Sequence, residues 1–142
     1  MSEPRDDLRM WGFYADSHRG ACLRFHARSL LGWADFPPMR VTYAAKYPTV
    51  SFYRDSRFRR GHATLTTKAK VWRHEREWRM VHRASGPLSF PAEALNGVIM
   101  GCGIAPEVEE QVRAVVADRK PPVEIMKAHL AEREFRLDVQ RA

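Results

Sequence analysis

Val98-Ile99-Met100-Gly101-Cys102-Gly103-Ile104-Ala105-Pro106-Glu107 places a strand and a helix side by side in the chain. Val98–Met100 is a compact apolar run closed by Gly101 and Gly103, the punctuation of a buried strand. Ala105-Pro106-Glu107 then opens a helix. Proline is accepted in a first helical turn, where its missing N–H would have had no carbonyl partner. Glu107, Glu109 and Glu110 complement the positive N-terminal end of the helix. Val108, Val112, Val115 and Val116 are expected to form its buried face. Lys120 lies near its end, and Pro121-Pro122 stops it.

Working outward, Val123–Met126 and Phe135–Val139 read as further strands on the C-terminal side. On the N-terminal side, Glu75–His82 alternates with period two and reads as a strand, with Glu75, Glu77, Arg79 and Val81 on one face. Leu88–Phe90 reads as short and extended. Leu65, Ala69 and Trp72 predict a short helix over Thr64–Trp72. The Arg-rich stretch 54–61 reads as a turn or mobile loop. Met39–Ala45, after the break at Pro37-Pro38, and Ala21–Phe25 read as strands. Leu8, Trp11 and Tyr14 lie on one face of a short helix that Asp6 or Asp7 can cap. Gly20 is expected to end that element in a left-handed cap. These elements predict an α+β fold, a single domain over residues 1–142, with a mixed or antiparallel sheet of about five to seven short strands and two or three helices.

The 142 residues and 44% hydrophobic content suit one domain with a real core. Cys22 and Cys102 are too few for a disulfide scaffold and lack ligand spacing, so both read as apolar thiols, and no metal is expected. The charged start, MSEPRDDLRM, lacks the apolar stretch of a signal peptide. No window has the run of about 18 apolar residues that crosses a membrane. The expectation is a cytoplasmic protein without a membrane partner. The formal charge of +7 favours polyanions or acidic protein surfaces. Its densest cluster is Arg54, Arg57, Arg59, Arg60 and His62, interleaved with Tyr53 and Phe58, a composition that can stack on bases and grip phosphates. A solvated basic surface has the same composition.

A second constellation could carry chemistry. On a strand, Glu75 and Glu77 would project from one face, and mutual repulsion would hold a proton on one of them nearer neutral pH. Such a pair suits acid–base work or the stabilisation of a developing cation. Trp72 and Trp78 bracket the acids and could wall a pocket for a flat ring. Arg79 continues the row, and Lys68, Arg73 and Arg76 could add phosphate contacts. The plain alternative is a solvated strand face with an Arg–Glu pair of little consequence. His18, in Asp16-Ser17-His18-Arg19-Gly20, is a candidate base if Asp16 orients its ring. No phosphate-binding loop, dinucleotide fingerprint or zinc-hydrolase motif is present.

Met10-Trp11-x-x-Tyr14-Ala15-Asp16-x-His18-x-Gly20-x-Cys22-Leu23-x-Phe25, with Lys68-x-x-x-Trp72-x-x-Glu75-x-Glu77-Trp78-Arg79, resembles the bacterial domain-of-unknown-function family 2971 over about residues 6–130. The resemblance confers no activity. It implies Tyr14, His18, Gly20, Lys68, Trp72, Glu75, Glu77, Trp78 and Arg79 as signature positions. Members usually carry a preceding segment with an Asn-Asp-Pro-Phe-like motif; if that segment supplies half of a pocket, a chain beginning after it is expected to be inactive or to assemble differently. More loosely, Glu75-Arg76-Glu77 is similar to the Glu-x-Glu of ADP-ribosyltransferases, whose last Glu holds a ribose hydroxyl of NAD.

Three function classes follow. The first is an NAD- or nucleotide-directed enzyme with Glu77 as key acid, Glu75 as helper, His18 and Tyr14 as partners, and Lys68, Trp72 and Arg79 binding substrate. The second is a basic module for nucleic acid or an acidic or nucleoprotein partner, such as a protein of a phage–host conflict, using Arg54, Arg57, Arg59 and Arg60. The third is a non-catalytic remnant that forms homo-oligomers.

Overall fold

A computed structural model describes residues 1–3 and 5–142. The α+β class holds: three α-helices, three short 3-10 turns and eight strands occur among the described residues. They divide into two compact units. One comprises Arg5–Trp33 and Ser85–Ala142, the other Met1–Pro4 and Ala34–Ala84. No helix among the described residues is long and apolar enough to cross a membrane.

The first, or sheet, unit is built on β6 (Leu95–Met100), the strand expected from the apolar run. It lies between β1 (Ala21–Phe25), antiparallel to it, and β7 (Glu124–Leu130), parallel to it; β8 (Leu137–Arg141) pairs antiparallel with β7. A parallel neighbour needs a crossover, and α3 (Pro106–Ala117) supplies it. Helix α1 (Leu8–Tyr14) starts at Asp7, whose side chain accepts from the Arg9 N–H as an N-cap. Trp11, Ala15, Ile99, Met126, Ala128 and Leu137 form the core. The Trp11 indole N–H is satisfied by the Arg5 carbonyl at 2.8 Å, so the ring is buried without stranding its polar atom.

Within the sheet, Arg24, Gly97 and Glu124 are neighbours across three strands. Arg24 Nη2 reaches Glu124 Oε2 at 2.6 Å, and Arg24 Nε reaches Asn96 Oδ1 at 3.1 Å. Gly97 leaves room for that bridge, because a Cβ there would meet Arg24 Nε at 2.9 Å.

Three local readings of this unit are corrected. Gly20 is not left-handed; that conformation falls instead on Asp16, Ser17 and His18, three successive non-glycine residues with φ of 45°, 51° and 68°. In α3, Val116 is buried but Val108 and Val115 are exposed, so the valine stripe is narrower than expected. Leu88–Phe90 joins no ladder.

Among its described residues, the second, or basic, unit has no extended sheet. It holds two two-stranded pairs, β2 (Met39–Arg40) antiparallel to β5 (Trp78–Arg79), and β3 (Thr42–Ala44) parallel to β4 (Thr67–Ala69). The expected Met39–Ala45 strand is thus broken at the buried Val41, each half taking a different partner. The eight strands therefore form one four-stranded sheet and two ribbons. Only the start of the Arg-rich stretch is a turn: from residue 57 the chain is helical, α2 running Arg57–Thr66, and the Ser56 side chain accepts from Arg59 N to cap it. The short helix expected over Thr64–Trp72 resolves into the end of α2, strand β4 and the start of a 3-10 turn over Lys70–Glu75.

Candidate functional site

The stretch from Lys68 to Arg79 converges on one ammonium group. β3 and β4 pair Tyr43 with Lys68, which fixes where the lysine leaves the backbone. Its Nζ donates to Glu75 Oε2 and lies 3.2 Å from Glu77 Oε2. Glu77 also receives Arg79, with Nε at 2.7 Å from Oε1 and Nη2 at 3.2 Å from Oε2. The backbone N–H of Glu77 donates to the Tyr43 hydroxyl at 2.8 Å. The Lys68 ammonium sits 5.4 Å from the centre of the Trp72 ring, within cation–π range. Tyr43 is a participant that sequence reasoning missed; a lone tyrosine in a short strand carried no signal.

Glu75 and Glu77 do meet, but not by strand alternation. Glu75 ends the 3-10 turn, Arg76 takes a left-handed φ of 44°, and only Trp78–Arg79 is strand. The left-handed residue turns the chain so that both carboxylates reach Lys68. The expectation that repulsion keeps a proton on one of them is corrected at Glu77. Its hydrogen bond from Arg79 acts first, partial burial opposes it, and the Lys68 contact adds to Arg79, leaving the carboxyl below its ordinary value of 4.5. For Lys68, burial works against the charge, but hydrogen bonds to Glu75 and Glu77 outweigh it and raise the amine above 10.5.

A pH prediction follows from these directions. Glu77 titrates lower when folded than when unfolded, so its stabilising contribution is complete above about pH 4.5 and is lost as pH falls through the folded value. The Lys68 contribution has the opposite sense: it is present below pH 10.5 and lost above it. Thermal unfolding followed across acid pH should show a decline that is shallower in Glu77→Gln. An unchanged decline would mean that other carboxyls account for it.

Around this cluster the basic unit has little apolar interior. Among the described residues its buried ones are Val41, Thr66 and Glu75, the last only 2% exposed. Arg79 also donates to the Leu65 carbonyl near the end of α2. A cation there complements the negative end of the helix and ties α2 to the cluster.

Tyr14 and His18 belong to the sheet unit. Tyr14 is exposed at the end of α1. His18 lies in the left-handed turn, its carbonyl accepting from Gly103 N at 3.0 Å. Its Nδ1 is buried and makes no hydrogen bond among the described residues. Asp16 does not orient that ring; its Oδ1 is 3.1 Å from Arg19 Nη2.

The remaining candidates, Arg54, Arg57, Arg59 and Arg60, all lie in the basic unit, on α2 and the turn before it. Charge is divided sharply between the units. The basic unit carries twelve Lys and Arg against five Asp and Glu, whereas the sheet unit carries twelve against twelve. The entire surplus of +7 thus falls in one unit. Its acids are engaged within that unit: Glu3 accepts from the Trp78 indole, Asp35 from Arg83 N, and Asp55 pairs with Arg59. Arg54 and Arg57 form no ion pair among the described residues.

No family model, curated protein or solved structure matches the chain. Among the described residues, no group of three His, Cys, Asp or Glu is placed to hold a metal ion.

Proposed function

We propose that this protein is a nucleic-acid-binding module whose contact surface is the basic unit. The observation that carries the reading is the division of charge, with every surplus cation in Met1–Pro4 and Ala34–Ala84. Arginine supplies the exposed charge on α2, and its planar fork matches phosphate oxygens. Each neutralised phosphate releases condensed counterions, which is the main source of affinity for such surfaces.

An NAD-directed reaction at Glu77 has less support. Both its carboxylate oxygens already receive Arg79, and one also receives Lys68. A ribose hydroxyl would have to compete with those charge-assisted bonds. In the binding reading, the glutamates hold Lys68 and Arg79 in place, and Arg79 in turn holds α2. An acidic protein partner and self-association are the alternative readings for the same surface and for exposed side chains such as Phe13 and Phe135.

Fluorescence anisotropy with labelled RNA and DNA tests the proposal. Binding is expected at low salt and should weaken steeply as salt rises. Replacing Arg54, Arg57, Arg59 and Arg60 by Gln should remove most of it and flatten the dependence of log K on log salt by about 0.7 to 0.9 per lost phosphate contact. Arg59 and Arg60 also hold the preceding turn, whereas the Arg54 and Arg57 side chains make no ion pair or hydrogen bond among the described residues, so Arg54→Gln with Arg57→Gln lowers the charge and spares those fold contacts. No binding at low salt, or affinity unchanged in both variants, would refute the proposal.

A further inference from the structure

We infer that the nucleic acid held by this surface is single-stranded, with bases stacked on Tyr53 and Phe58; the inference rests on the nucleic-acid reading above. Phosphate contacts alone would need only the arginines. The same segment also presents large aromatic rings to water: Phe52 is 76% exposed, Tyr53 95% and Phe58 71%. Exposed rings grouped with unpaired cations match a strand that offers phosphates and unstacked bases together. A duplex keeps its base faces inside the stack and offers them no partner.

The rings are held, not loose. The turn before α2 is closed by Asp55 N to the Ser51 carbonyl at 3.0 Å, Ser51 N to Asp55 Oδ2 at 2.7 Å, and Arg54 N to Ser51 Oγ at 3.2 Å. Arg60 reaches back from α2 to the carbonyls of Phe52 and Asp55, and its guanidinium stacks 4.5 Å from the Phe52 ring centre. Phe52 therefore already has a cation on one face. Tyr53 meets it edge-on, with centroids 5.5 Å apart and an interplanar angle of 85°. Phe58 lies tilted at 32° beside His62, 5.9 Å away. Tyr53 and Phe58 are thus set on a fixed turn and a helix, with Arg54 and Arg57 adjacent in sequence. Such pre-organisation limits the ordering cost of binding.

The test uses the full chain with two probes of one sequence, a labelled single strand of about 16 nucleotides and the same strand annealed to its complement. The single strand should bind more tightly. Tyr53→Ala with Phe58→Ala should weaken it about tenfold or more while leaving the duplex and the salt slope unchanged. Tyr53→Trp with Phe58→Trp keeps both stacking faces and should retain the preference, which also guards against a fold defect in the alanine variant. Equal binding of the two probes, with no effect of the alanine pair, would overturn the inference and leave the nucleic-acid reading standing. Failure of both probes to bind at low salt would instead overturn that reading, and this inference with it.

Discussion

Gly101→Ala is expected to destabilise the sheet unit by about 3 kcal/mol or more, a size reserved for core overpacking against something that cannot move. A Cβ at Gly101 would lie 2.0 Å from the His18 carbonyl oxygen, 2.7 Å from its carbon and 3.0 Å from the Gly20 oxygen. All three are backbone atoms. They are fixed by Gly103 N to His18 O at 3.0 Å and Gly101 N to Gly20 O at 2.9 Å, so a shift would break the bonds joining the left-handed turn to the end of β6. Gly101 itself needs no left-handed freedom; it is needed for space. Gly12→Ala, in α1 of the same unit, is the control. Nothing lies within 4 Å of its built Cβ, and alanine favours a helix interior over glycine by up to about 1 kcal/mol. Urea unfolding of the two variants should move in opposite directions, and an unaltered midpoint for Gly101→Ala would show that the turn does not pack as described.

Lys68→Met should be similarly damaging to the basic unit, at about 3 kcal/mol. Removing the ammonium takes from the Glu75 carboxylate, 2% exposed, the cation that donates to it, and a buried charge deprived of such a partner costs far more than the intact pair contributes. The effect is large because this unit has so few buried apolar side chains to compensate. The diagnostic is the double variant. Lys68→Met with Glu75→Gln removes both charges and should recover a substantial part of the loss, a coupling readable by a double-mutant cycle in urea. Additive losses would mean that the lysine acts through its packing on Trp72 and not through charge.

The sheet unit was largely legible in the sequence. Val98–Met100 has no polar residue to place, and Pro106 with its following glutamates marks a helix start by simple chemistry. Asp7 capped α1 as its position suggested. The basic unit was harder, because its order rests on polar side chains whose partners are distant in sequence. Phe58 and Leu65 share one face of Arg57–Thr66 but both are exposed, so the Ser56 cap and Arg79 at the far end, and not a buried apolar face, fix this helix. WRHEREWR alternates like a strand, yet the left-handed Arg76 interrupts it. The two glutamates meet on Lys68 for a reason other than the strand alternation that suggested them, and the lysine, read as a phosphate contact, reaches them from β4. The left-handed conformation expected at Gly20 falls on Asp16 to His18, where the local bonds His18 N to Trp11 O, Arg19 N to Asp16 O and Gly20 N to Ala15 O combine with the long-range bond from Gly103 N to His18 O.

The division into units has a further consequence for how the chain is made. The sheet unit is discontinuous, and residues 34–84 of the basic unit interrupt it between β1 and β6. During synthesis, β1 emerges early but has no strand to pair with until Leu95–Met100 follows, and β6 in turn lacks its parallel neighbour until Glu124–Leu130. Such long-range pairings are slow to form, and unpaired strands are vulnerable to aggregation. The basic segment, meanwhile, already has Met1–Glu3 available to meet Trp78 as soon as it is complete. The order of appearance therefore favours a basic unit that matures first, while an apolar strand behind it waits for Glu124–Leu130.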